Sequence, residues 1–212
     1  MSSSLPALAS YLDANIKSHC LICIVLHGTD TKTIESIKDY DVSIIYQKNF
    51  GYGDAIIEGI NNCNTEYFCI FNADGSFNPS EIDGMFESMQ TRNLDFIFAS
   101  RYESNSGSED DTILTLIGNY IFTYIGKIFF RLNVSDILYT FLIGRTNKAK
   151  KLNLSQKDFS FCVELPIKAK KNEMKLGSIN AFERKRIAGK KKVNAFKDGF
   201  LILLHMIKLF FK

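Results

Sequence analysis

Four short apolar runs, Cys20–Leu26, Val42–Tyr46, Tyr67–Phe71 and Asp95–Ala99, punctuate the first hundred residues, and the stretches between them carry apolar residues at helical spacing, roughly over 31–39, 54–63 and 79–91. Runs that are apolar at nearly every position suit strands buried on both faces, and their alternation with helices is the pattern of a parallel α/β sheet. A helix precedes them all, because Leu5, Leu8, Ala9, Leu12 and Ile16 recur at helical spacing within Leu5–Lys17. After the fourth run, 103–111 (ESNSGSEDD) reads as a solvated loop and 112–131 as a long apolar helix. Phe161–Lys171 reads as a helix, Leu176–Phe182 as a last strand, Arg184–Lys192 as a basic loop and 195–211 as a final helix. No repeat or linker divides the chain, so the expected organisation is one domain over 1–194 followed by an amphipathic helix over 195–212.

The 212 residues are 46% hydrophobic, enough to fill a core, which excludes a disordered chain, a collagen-like repeat and a disulfide-stapled miniprotein. The net charge of +3 conceals an asymmetry: residues 1–144 hold 8 basic and 18 acidic side chains, and residues 145–212 hold 18 basic and 5 acidic. A cationic last third points to a polyanionic partner. No aromatic residues are interleaved in the basic loop Glu183–Lys192, and no recognition-helix or zinc pattern accompanies it, so nucleic acid is not the expected partner. In the final helix a wide apolar face is flanked by Lys197, Lys208 and Lys212, as in helices that lie in the headgroup layer of an anionic membrane. Packing on the domain, or an oligomer interface, is the alternative use of that face.

Ile113–Phe130 is interrupted by Gly118, Asn119, Gly126 and Lys127, and Phe200–Phe211 is short, so neither reads as a membrane span. The five cysteines sit mostly in apolar runs and read as small core residues, reduced as in the cytoplasm. Cys20-x-x-Cys23 lacks the second pair of a zinc site, and the N-terminus lacks the basic and apolar regions of a secretory signal.

Two segments carry the chemistry. Asn49-Phe50-Gly51-Tyr52-Gly53-Asp54-Ala55 follows a strand and opens a helix, where glycines allow close approach of a phosphate to free amides. A tight strand-to-helix turn explains the same residues. Phe71-Asn72-Ala73-Asp74-Gly75-Ser76 ends a strand, where α/β sheets place ligands, and Asp with neighbouring oxygen donors suits Mg2+ or Mn2+. An Asp-Gly turn explains that segment equally.

Taken in this order, and followed by Ser100-Arg101-Tyr102, Asp136, Phe161-Cys162-Val163-Glu164-Leu165 and Arg184 through Lys192, the two segments make a chain that resembles the family-2 glycosyltransferases of GT-A fold. Within them it is most similar to the dolichol-phosphate mannose synthase and polyprenyl-phosphate glycosyltransferase branch, from about Leu5 to Lys197. The resemblance implies a Rossmann-like, mostly parallel sheet flanked by helices, here without the usual first strand. It implies a donor site at Asn49, Gly51, Gly53, Asn72 and Asp74, with Asp74 as the metal ligand for Mg2+ or Mn2+. Asp136 matches the acceptor-side catalytic carboxylate, and Arg101, Arg184 and Lys192 match phosphate-binding positions.

The implied activity is inverting transfer of a sugar from a nucleotide diphospho-sugar to a polyprenyl (dolichyl) phosphate or other lipid-linked acceptor, by a protein peripheral on the cytoplasmic face of the membrane. Several positions depart from the family pattern. Leu26 and His27 stand where nucleoside-binding carboxylates are usual, and Asn72 stands for the first Asp of the metal motif. Ile137–Ile143 replaces the acceptor-side T-S-G-F segment. Those departures motivate the alternative, a degenerate relative without donor binding that serves as a membrane-associated scaffold or partner subunit; self-association is a further possibility.

Overall fold

A computed structural model describes residues 4–15, 20–187, 189 and 193–211. The elements run α1 (Ser4–Asn15), β1 (Cys23–Leu26), α2 (Thr31–Ile37), β2 (Ser43–Tyr46), α3 (Tyr52–Asn62), β3 (Tyr67–Ile70), α4 (Glu81–Thr91), β4 (Phe96–Ser100), β5 (Gly107–Ser108), α5 (Ile113–Phe130), β6 (Leu142–Arg145), α6 (Thr146–Lys151), α7 (Phe161–Lys171), β7 (Leu176–Asn180), β8 (Phe182–Glu183) and α8 (Ala195–Phe210). Each of the four opening apolar runs becomes a strand.

The strands form three sheets: a two-residue parallel pair of β5 and β8, and two larger pieces that make up the α/β layer. β1 and β2 pair in parallel, from Cys23 opposite Ser43 to Leu26 opposite Tyr46. The larger piece has the order β3-β6-β4-β7, with β4 and β7 parallel and β6 antiparallel to both its neighbours. The expectation of one mostly parallel sheet is therefore refined: β1-β2 and β3-β6-β4-β7 are separate ladders. β6 overlaps the apolar run 137–143, which stands in place of the family's acceptor-side segment, only at Leu142 and Ile143. Both are buried, one toward each core, because β6 lies between β3 and β4.

Successive side chains point to opposite faces, so each central strand feeds two cores. Phe96 and Phe98 of β4 and Leu142 of β6 join a core completed by α3, α5, α7 and α8. Ile97 and Ala99 of β4 and Ile143 of β6 join the opposite core with Ile82, Met85 and Met89 of α4. A third cluster, Leu5, Ile24, Leu26 and Ile37, binds α1 and α2 to the small sheet.

The amphipathic helix expected over 195–212 is α8, and one of its faces packs on the domain. Its Ile202, Met206 and Leu209 are buried in the main core, while Phe196, Phe200 and Phe210 on other sides remain exposed. Ile202→Ala and Leu209→Ala are each expected to lower unfolding free energy by about 2–5 kcal/mol. Phe200→Ser should change it by less than about 0.5 kcal/mol, as for other surface substitutions. Urea titration distinguishes this pattern from an independent tail, for which all three would be neutral.

Candidate functional site

The site is built where β1, β2 and β3 end. At the turn into α3, Gly51 has φ 140°, and a β-carbon there would fall 2.1 Å from the Lys157 carbonyl oxygen; one on Gly53 would fall 2.2 Å from that of Gln156. The Asp54 amide donates to the Lys157 carbonyl at 3.1 Å. The glycines thus admit the protein's own backbone, and a first-turn amide of α3 is already used. Asn49 serves the same turn: its backbone amide and Nδ2 donate to the buried Asp54 carboxylate at 2.8 and 2.9 Å. Of the two readings of this segment, the geometry carries the turn, and Asn49, Gly51 and Gly53 are not brought to an open phosphate cradle. Phe50 projects outward, stacked on His27 with ring centroids 3.9 Å apart.

Glu164 holds the loop that presses on this turn. Its buried carboxylate accepts from the Ser155 amide and hydroxyl and from the Gln156 amide, and pairs with Lys168 Nζ at 2.8 Å. Burial would raise the Glu164 carboxyl, but Lys168 and these donors outweigh it and hold it below its ordinary value.

Asn72 and Asp74 lie just beyond β3. Tyr52, the first residue of α3, donates its hydroxyl to Asn72 Oδ1 at 3.1 Å and meets Thr140 Oγ1 as well. Burial pushes the Tyr52 phenol up, so it stays protonated as that donor. Asp74 Oδ1 accepts from the Ser76 amide and hydroxyl at 3.0 and 2.8 Å, which rigidifies the loop. Asp74 Oδ2 lies 3.5 Å from Arg186 Nη1. The segment after β8 runs back over this loop, the Arg184 amide donating to the Ser76 carbonyl and the Ile187 amide to that of Asp74. Ile187 covers Gly75, whose φ of 87° and 2.7 Å approach to Ile187 Cδ1 leave no room for a side chain.

Arg186 also forks onto Asp110 at 2.8–3.3 Å, and these partners raise its guanidinium above its ordinary value, the Asp110 hydrogen bond most of all. The stretch 103–111, taken from sequence as a solvated loop, is pinned at its acidic end by Arg186 on Asp110.

Arg101 and Asp136 are close to the site but belong to the interior. Asp136 is 0% exposed, and its oxygens accept from Arg101 Nε at 2.7 Å and Nη2 at 3.1 Å. Arg101 Nη1 reaches Glu183 at 3.0 Å and Asp111 at 3.5 Å. Asp136 is therefore a partner to Arg101 and not a base open to an acceptor, and Arg101 is spent on carboxylates and not on phosphate. Arg184 gives Nη2 to the Phe77 carbonyl at 2.6 Å, while its Nε is buried without a hydrogen-bond partner among the described residues. Lys192 lies outside the described residues.

The structure thus brings together Asn72, Asp74 and Arg184, and adds Tyr52, Thr140, Arg186 and Asp110. The signal for Arg186 was its place in the basic loop Glu183–Lys192, which the sequence marks as cationic without singling it out. Among the described residues no group of three or more His, Cys, Asp or Glu forms a metal cage. Asp74 Oδ2 and the second lone pair of the Asn72 carbonyl remain as hard-cation oxygens, which fits a cation that keeps water and ligand oxygens in most of its positions.

The sequence profile described as glycosyl transferase family 2 matches residues 5–152, most of the chain. The chain belongs to this family of enzymes. Solved structures share the GT-A-like α/β fold of this family 2 transferase. Glucosyl-3-phosphoglycerate synthase from Mycobacterium tuberculosis in complex with UDP matches with a TM-score of 0.72 at 8% identity, over 99% of this chain and 76% of that one. The same synthase with Mn2+, UDP and phosphoglyceric acid gives 0.70 at 8% identity, over 99% and 74%. Mannosyl-3-phosphoglycerate synthase from Rubrobacter xylanophilus gives 0.71 at 9% identity, over 98% and 67%.

Arg101→Met in this transferase leaves three carboxylates without their shared cation and is expected to cost about 3–5 kcal/mol of stability by urea titration. Because Glu164 is held below its ordinary value, its contribution is fully present above about pH 4.3 and is lost as pH falls through the lower folded value. Glu164→Gln should therefore flatten the fall in stability below about pH 4.3 when unfolding is followed across that range.

Proposed function

We propose that this protein moves a sugar from a nucleoside-diphosphate sugar to a polyprenyl phosphate, working as a peripheral protein on the cytoplasmic face of the membrane. The observation that carries the lipid acceptor is the apolar outer face of α5. Phe130, Phe122 and Ile125 pack on the main core with Asn119, Thr123 and Gly126 buried beside them, whereas Ile117, Ile121, Tyr124, Ile128 and Phe129 are exposed. α8 packs beside it and adds Phe200, Leu204 and Ile207 to the same kind of surface, with Phe129 and Phe210 meeting edge to face. So large an apolar surface is costly in water, and Lys127, Arg131 and Lys208 lie on the same two helices, as an anionic headgroup layer requires. α5 is long and apolar enough to cross a bilayer by length and composition, but one of its faces packs on the domain, which favours lying along the surface.

In this reading Asp74 Oδ2 and the Asn72 carbonyl hold Mg2+ or Mn2+, which supplies positive charge against the departing diphosphate. Arg186 leaves Asp74 for a phosphate oxygen while Asp110 keeps it oriented. The acceptor phosphate oxygen attacks the sugar carbon, the bond to the diphosphate breaks, and the configuration inverts as the family resemblance implies. A phosphate monoester with a second pKa near 6 is already ionised at neutral pH and needs no general base, which accords with the burial of Asp136. A second reading, a small phosphorylated acid as acceptor, draws on the phosphoglyceric acid in the mycobacterial neighbour.

The direct test supplies radiolabelled UDP- and GDP-sugars, Mn2+, and polyprenyl phosphate in phosphatidylglycerol-containing vesicles. Transfer to the lipid is expected, with Asp74→Ala reducing kcat/KM by about 100-fold or more. Transfer only to soluble phosphorylated acids would support the second reading. Absence of transfer together with absence of a thermal shift by UDP or GDP would leave the scaffold or partner-subunit role, for which Leu26, His27 and Asn72 are the motivation.

A further inference from the structure

Three helices end around one cavity. It has a volume of about 300 Å3 and is lined by Phe129, Phe130 and Arg131 at the end of α5, Lys170 and Lys171 at the end of α7, and Phe210 at the end of α8. A helix end presents unpaired carbonyls and a partial negative charge, so cations there have an ordinary structural use. Lys171 serves that use, its Nζ donating to the Leu209 carbonyl of α8. Arg131 and Lys170 do not: among the described residues neither side chain makes an ion pair or a hydrogen bond. Glu173, the nearest acid along the chain to Lys171, pairs with no cation among them either.

Charge decides whether the helix ends use up these cations. Each end contributes roughly half a negative charge, so the three together offset about half of what Arg131, Lys170 and Lys171 bring. Lys127 and Lys208, in the last turns of α5 and α8, add to the surplus. The wall beside the cations is aromatic: Phe210 meets Phe129 and Phe130 edge to face, with ring centroids 5.8 and 6.0 Å apart. Phe129 and Phe210 are exposed and continue the apolar outer surface of α5 and α8. A small inorganic anion would satisfy the cations and leave both rings in water. A phosphate that carries an acyl chain satisfies the cations and covers the rings.

We propose that this cavity binds the headgroup phosphate of one anionic membrane phospholipid, held by Arg131 and Lys170, with its acyl chain lying along Phe129 and Phe210. The inference deepens the membrane reading above and rests on it, but it requires no particular donor or acceptor. The cavity is distinct from the candidate site. Asp110, just before α5, is paired with Arg186 there, and the 18 residues of α5 place Arg131 about 27 Å away. A lipid clasped at the far end of α5 would fix how that helix lies on the membrane, and with it the height of the candidate site above the headgroups.

The test uses the full chain and three probes below any micelle concentration: dihexanoylphosphatidylglycerol, its deacylated headgroup glycerophosphoglycerol, and dihexanoylphosphatidylcholine. Affinity is read by calorimetry, and acetylation of Lys170 by mass spectrometry with Lys32 of α2 as reference. The short-chain phosphatidylglycerol is expected to bind saturably and, well above its Kd, to slow acetylation of Lys170 by about tenfold with Lys32 unchanged. Arg131→Gln with Lys170→Gln should weaken that binding by about tenfold or more. Lys127→Gln with Lys208→Gln, outside the cavity, should weaken it by less than about threefold. Equal affinity for the bare headgroup, meaning a site for soluble phosphates, would overturn the proposal. So would equal affinity for phosphatidylcholine, meaning an apolar groove, or equal losses in the two double variants, meaning diffuse charge. Sedimentation of the protein with phosphatidylglycerol vesicles separates the two readings. Sedimentation with Lys170 unprotected leaves the membrane reading standing and overturns the cavity, whereas no sedimentation overturns both.

Discussion

The guanidinium of Arg101 is shared by Asp136, Glu183 and Asp111, and much of the molecule's geometry follows from that one cation. Burial alone would lower the pKa of Arg101, but Asp136 and Glu183 raise it well above its ordinary value, so it is permanently charged in the interior. It also lies over the Tyr139 ring at 4.4 Å. Through these contacts the end of β4, the approach to β6, the strand β8 and the acidic end of the loop before α5 are drawn to a single point. The segment that leaves β8 is then aimed back over the Asp74 loop, which is how Arg186 reaches both Asp74 and Asp110. A group that resembles a phosphate-binding arginine in the sequence thus acts one step away from any ligand, by fixing the course of the chain that carries another arginine.

Glu164 performs the corresponding task on the opposite side of the candidate site. Its hydrogen bonds fix residues 155 and 156, whose neighbourhood presses on the glycines at the head of α3, and α3 in turn presents Tyr52 to Asn72. An unpaired carboxylate at such depth would be unfavourable by several kcal/mol, of order; here Lys168 and three donors offset it. The two buried acids, Asp136 and Glu164, therefore shape the site without facing it.

The strands and helices were legible because each has its own local pattern. Continuous apolar runs announced β1 to β4, and helical spacing announced α1 to α5, α7 and α8, including the apolar length of α5. What was not legible depends on partners far along the chain. Nothing next to Asp136 in sequence reveals that Arg101, 35 residues earlier, closes around it. The run 137–143 carries no periodicity because Ile137, Tyr139, Phe141, Leu142 and Ile143 are all buried, and only the last two belong to β6. Asn49, Gly51 and Gly53 have the composition of a phosphate cradle, and only the position of Lys157 and Gln156 decides that backbone fills it. Cys20, Cys23 and Cys69, read from the sequence as core residues, are exposed, which a run of apolar letters cannot express.

The break in the ladder also bears on how the molecule comes apart. Hydrogen bonds across a sheet make its strands open together, and that coupling stops between β1 and β3. The unit of β1, α2 and β2 is held to the remainder through side chains of α1 and α3, whereas β4 is locked between β6 and β7. Such a unit has a lower opening free energy than the global one. The half of the domain that bears His27 and one wall of the candidate site can loosen while the four-stranded half stays folded, so two levels of cooperativity coexist within a single chain.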